Sequence, residues 1–174
     1  GGEVEMNRAI EFIQNFLAQE YDTSIVGYTE RDESVYSAAV RSLSRYCLPG
    51  LASVFIGRPL TPEEDWYKDD TTARADIQKR KLFQIKHYRH PQYQDLYRCY
   101  VSTTDPGDDT YASCLYLTQI ENELKIVAKY NLDYGTGKWV NRGGTKIYKL
   151  CKPLEVKKFF PPSRSADRAE YDSE

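Results

Sequence analysis

The chain has 174 residues, 40% hydrophobic and 29% charged, with a formal net charge of −2. That length fits one domain that buries its own core without staples. The charge balance excludes the dominant basic field of a general nucleic-acid binder, and no apolar run approaches the roughly 18 residues of a membrane-spanning helix.

Gly1 and Gly2 read as an expression remnant, and residues 1–5 as that remnant or a disordered leader. Met6 opens the first helical pattern. Ile10, Ile13, Phe16, Leu17 and Tyr21 share one helical face, with Glu11, Gln14, Asn15 and Gln19 elsewhere. Gly27 marks a break. A second helix starts near Ser34, carries the stripe Val35, Ala39, Leu43, Tyr46 and Cys47, and stops at Pro49-Gly50. Leu51 to Ile56 is a helical turn or an extended piece. Thr61-Pro62-Glu63-Glu64 signals a third helix, because Thr61 can cap, Pro62 suits the first helical position and the acids favour the positive end.

From about Lys81 the period becomes two. Phe83, Ile85 and His87 alternate with Gln84, Lys86 and Tyr88. After a turn at His90 to Asp95, a strand from Leu96 to Thr103 puts Tyr97, Cys99 and Val101 on one face and Tyr100 on the other. Further strands run from Tyr111 to Ile120 and from Leu124 to Asn131, joined tightly at Glu121-Asn122-Glu123. Gly135-Thr136-Gly137 and Gly143-Gly144 read as hairpin turns around Trp139-Val140, and a last extended segment reaches Phe159-Phe160. Pro161-Pro162 closes a single domain over residues 6–162. Residues 163–174 read as a flexible charged tail. Helices first and an antiparallel meander after give an α+β fold, with N-terminal helices packed on a curved antiparallel sheet. A cone between the two layers is a natural pocket.

The helix-then-meander order resembles the nuclear-transport-factor-2-like cone fold. Within it, the run from Phe83 to Ser102 and the closing run from Lys152 to Pro162 resemble bacterial immunity proteins of that fold. The resemblance implies a non-enzymatic domain that binds and neutralises a cognate toxin protein. The same fold hosts small-molecule pocket proteins, isomerases and dehydratases, and homodimerisation modules, so those readings stay open.

Chemistry-bearing motifs are sparse. The two histidines, His87 and His90, point to opposite faces of a strand and cannot share a metal ion. No nucleophile elbow or phosphate loop is present. No cofactor, metal site or catalytic residue is expected. In the pocket reading, His87 with Tyr100 and Tyr116 would line the cone. The four cysteines, Cys47, Cys99, Cys114 and Cys151, read as reduced buried thiols of a cytoplasmic protein, with Cys99–Cys114 the one pairing open to a disulfide.

Two basic stretches stand out: Arg74, Lys79, Arg80, Lys81, Lys86 and Arg89, then Lys146, Lys149, Lys152, Lys157 and Lys158. Acidic Glu63, Glu64, Asp65, Asp69 and Asp70 surround Trp66. Each block reads as a solvated face or as a patch that steers a charged partner. In the binding reading, the acidic residues with Trp66 and Trp139 form the partner surface, since Trp is a common interface anchor.

Overall fold

A computed structural model of the protein describes residues 2–29, 33–56, 79–103, 112–133, 135–148, 150 and 152–167. Helix α1 spans Gly2–Thr29. Its buried positions, Met6, Ala9, Ile10, Ile13, Phe16, Leu17, Glu20 and Thr23, recur at three and four residues, which is the spacing of one helical face. Gly27 does not break the helix. A single internal glycine costs about 1 kcal/mol relative to alanine, and the helix continues past it to Thr29. Residues 2–5 are helical and open α1.

Helix α2 spans Glu33–Ser44 and ends before Pro49-Gly50. Two turn bonds, from Tyr46 N to Leu43 O (3.0 Å) and from Cys47 N to Ser44 O (3.2 Å), carry the chain off the helix. It then runs along the sheet, with Leu48 N donating to Ile126 O and Ile126 N donating to Tyr46 O. Leaving the helix to satisfy strand groups is what ends α2. A 3₁₀-helix at Ala52–Phe55 follows.

Among the described residues six strands follow: β1 Lys81–His90, β2 Gln94–Ser102, β3 Ser113–Ile120, β4 Glu123–Asp133, β5 Lys138–Gly144 and β6 Glu155–Lys158. They form one curved, open antiparallel sheet in the order β5-β4-β3-β2-β1-β6. Glu121 and Asn122 join β3 to β4 with φ of 51° and 69°. Positive φ at both central residues matches the twist of a two-residue hairpin.

The sheet has a core on each side. Leu82, Ile85, Tyr97, Cys99, Val101, Leu115, Leu117 and Ile126 pack with α1, α2 and the 3₁₀-helix. Phe83, Tyr88, Leu96, Tyr100, Cys114, Tyr116, Leu132 and Trp139 form the other core. Phe83 therefore lies opposite Ile85, not beside it, because the register slips between Leu82 and Gln84. A bulge there flips one residue to the other face.

Cys114 pairs with Tyr100 while Cys99 pairs with Leu115, so the two thiols lie on opposite faces. Cys47, Cys99 and Cys114 are all buried, and Cys47 and Cys99 are free thiols. Cys151 lies outside the described residues.

Gly143-Gly144 is not a turn. A Cβ at Gly144, where φ is +83°, would fall 2.1 Å from Val127 O, and one at Gly143 would meet Leu51 and Val54 at 2.9 Å. These glycines let β5 run against β4 and the 3₁₀-helix. The C-terminal segment is not wholly solvated either. Ser163 Oγ accepts from Ala166 N–H at 3.1 Å, capping one helical turn at 164–167. That turn buries Ala166 in the second core.

Candidate interaction surface

Strand parity decides the fate of the expected pocket. His87 faces the helices and stacks on Tyr97 at 4.6 Å and 11°. Tyr100 and Tyr116 lie on the opposite face. The three residues do not line one cavity. The Tyr116 hydroxyl titrates well above its ordinary range because burial penalises the phenolate, and the nearby Arg98 offsets only part of that.

Trp139 is no exposed anchor. It is 7% exposed, meets Tyr100 edge-on at 5.9 Å, and lies 5.8 Å from the Arg98 guanidinium. Its position in β5 turns its ring onto the sheet. Glu63, Glu64, Asp65, Trp66, Asp69 and Asp70 lie outside the described residues.

The sheet supplies an acid that the sequence did not point to. His87 Nε2 lies 2.8 Å from Asp95 Oδ1. The hairpin register sets this contact by placing His87 opposite Tyr97 and Arg89 opposite Asp95. Thr118 Oγ1 donates to Asp95 O at 2.6 Å and fixes the backbone there. The Tyr97 phenol is pushed up to about 12, chiefly by burial and then by Glu5, Asp95 and Glu155. A general acid–base pair needs a substrate within hydrogen-bond reach. Here His87 is 6% exposed, and Met6, Ile13, Phe16, Leu43, Ile85, Leu115 and Leu117 fill the space between helices and sheet. Neither His87 nor Asp95 lines the groove beside α1 or the cavity under Phe159 and Phe160. The arrangement ties β1 to β2.

His90 also serves the hairpin. Its Nδ1 accepts from Gln92 N–H and its Nε2 bonds Tyr148 O, both at 3.1 Å, which assigns the proton to Nε2. Among the described residues no group of His, Cys, Asp and Glu could hold a metal ion. Nor is any described helix long and apolar enough to cross a membrane.

A polar cluster sits between the distal half of α1 and the sheet. Arg80 grips Glu20 through Nε (3.0 Å) and a second guanidinium nitrogen. It also donates to Ser113 Oγ at 2.7 Å, and Ser113 in turn donates to Asn131 Oδ1 at 2.9 Å. Lys129 Nζ donates to Val54 O at 3.0 Å and lies 4.9 Å from the Phe55 ring centre. Burial, reinforced by Arg80, lowers the Lys129 ammonium from 10.5 to about 8.

Between those two values the unfolded chain holds more proton at this site, so the site's contribution to stability rises with pH there. Below pH 8 both states are charged and the full penalty, about 3 kcal/mol, stands. Lys129→Met should therefore be more stable than the parent at pH 7, by about 0.5–2 kcal/mol once the lost hydrogen bond and ring contact are offset. The gap should narrow as pH approaches 10. Urea unfolding of both proteins across that range checks it, and a gap that ignores pH would show that no charge is being buried.

The exposed apolar surface gathers at the sheet edge. Strand β6 pairs with β1, placing Lys157 opposite Ile85 and Lys158 opposite Gln84. Around it Leu154 is 58% exposed, Val156 41%, Phe159 39% and Phe160 41%. Phe160 leans on Phe83 at 5.3 Å. Lys81 Nζ lies 5.8 Å from the Phe160 ring, and Lys157 Nζ 5.7 Å from the Phe159 ring. Beside them a cavity of about 460 Å³ is lined by Leu17, Leu82, Phe159 and Phe160 together with Lys79, Arg80 and Lys81. Lys79 and Lys81 of the first basic stretch thus meet Lys157 of the second around an apolar centre. A second groove of about 830 Å³ beside α1 mixes Arg8, Arg45 and Lys125 with Glu11, Asp22 and Glu123, and so favours neither sign of charge. No protein-family profile, curated protein or solved structure matches this chain.

Proposed function

We propose that the chain is a non-enzymatic protein-binding domain, and in its most specific form an immunity protein that neutralises a cognate toxin by direct contact. The observation that carries this reading is the β6 edge, where four large apolar side chains stand exposed among lysines. Clustered exposed apolar residues mark interaction sites, and aromatic side chains are frequent anchors within them. The filled space between helices and sheet supports binding over pocket chemistry. The curved sheet with helices on one face supports the finer, cone-like nuclear-transport-factor-2-like assignment. The sign of the described surface favours an acidic patch on the partner.

The test uses the product of the neighbouring gene, co-expressed with this protein. The parent should co-purify with it and suppress its toxicity. A variant carrying Phe159→Ser and Phe160→Ser should stay folded, with a cooperative thermal unfolding transition, and bind at least about tenfold more weakly. Absence of any complex, or binding that ignores both substitutions, refutes the reading.

A further inference from the structure

We propose that the partner supplies an extended acidic segment that adds to the free edge of β6 as a seventh strand. This rests on the binding reading above and specifies how the same surface would be used. Among the described residues, strand β6 is the last strand on its side of the sheet. In an antiparallel pair every second residue bonds its partner, and those between turn their main-chain groups the other way. Phe159 N–H donates to Phe83 O at 2.7 Å, in step with the Ile85–Lys157 and His87–Glu155 pairs. Glu155 and Lys157 therefore bond β1, and the N–H and C=O groups of Val156 and Lys158 point to the open side. An incoming strand would find those groups there.

Charge selects the occupant. Successive residues alternate faces, so Lys157 presents its charge on one face of β6 and Lys158 on the other. A second copy added through the same edge with Lys157 or Lys158 opposite its own counterpart would set lysine against lysine, and like charges facing across a strand pair are destabilising. Lysines on a bare edge are a known means of blocking self-pairing. Acidic side chains on an added strand turn that repulsion into attraction, while an apolar residue among them can reach Val156 or the cavity beside Phe160.

The probes are two acetylated nine-residue peptides, one alternating valine with glutamate and the other valine with lysine. The glutamate peptide should bind saturably and slow hydrogen exchange at the Val156 and Lys158 amides, leaving those of β5 unchanged. The double variant Lys157→Glu, Lys158→Glu should weaken it by at least about tenfold and improve binding of the lysine peptide. Equal binding of both peptides by the parent, protection confined to β5, or sedimentation showing a dimer that occludes β6 overturns the proposal. If the co-expressed partner binds while the Val156 and Lys158 amides stay unprotected, strand addition fails and the binding reading survives. If neither peptide nor partner binds, both fall.

Discussion

Phe16→Ala should destabilise the protein by about 3–5 kcal/mol. Phe16 is fully buried, and its ring meets Tyr46 at 5.5 Å and Phe55 at 4.8 Å, both edge-on. Three separate pieces of chain therefore meet at this side chain: α1, the turn after α2 and the 3₁₀-helix. Alanine would leave a void that none of them can close without moving the others. Against a typical domain stability of about 5–15 kcal/mol, that loss would be a large fraction of the whole. Phe16→Leu, which keeps most of the volume, should lose distinctly less. Denaturant unfolding of the two variants tests the packing, and equal losses would show that the cavity argument is wrong.

The second large effect is expected at Arg80. Its guanidinium holds the Glu20 carboxylate, and the two side chains are only 9% and 10% exposed. Arg80→Met strips Glu20 of its guanidinium hydrogen bonds and leaves it buried, which should cost about 3–5 kcal/mol. Paired burial of charge is itself expensive, so Arg80→Met combined with Glu20→Met should recover much of the loss. A double-mutant cycle measures this directly. If the double variant is as unstable as the sum of the singles, the pair carries no coupling and the polar cluster stands on other contacts.

The α1 stripe and the meander were legible because each follows a local period. Ile13, Phe16 and Leu17 fall together on any helical wheel, and Leu115 and Leu117 share a face on any strand. Features set by distant partners were not. The Leu82–Gln84 bulge exists only through pairing with β2, and it moved Phe83 to the other core. Cys99 and Cys114 were separated by a register that no property of either strand specifies. Asp95 reaches His87 only because of the way the intervening turn closes. Gly27 was misread because glycine weakens a helix without having to end it. The candidate surface shifted for the same reason. Both basic stretches were visible, but nothing local brings β6 to β1. The acidic residues expected to face the partner, Glu63 to Asp70, lie outside the described residues.

The β1–β6 pairing also shapes how the chain can fold during synthesis. The β1–β2, β3–β4 and β4–β5 pairs each join strands that are consecutive in sequence, with a short connection between them. Such local contacts close quickly. Among the six strands β1 leaves the ribosome first, and the strand that covers its outer edge leaves last. Throughout the intervening translation that edge, with its Leu-Phe-Gln-Ile run, has no partner of its own. Unpaired edges of this composition are templates for other chains. A nascent chain stalled before Glu155 would be the species most exposed to aggregation, so the four short residues of β6 act as a late-arriving guard on the first strand made.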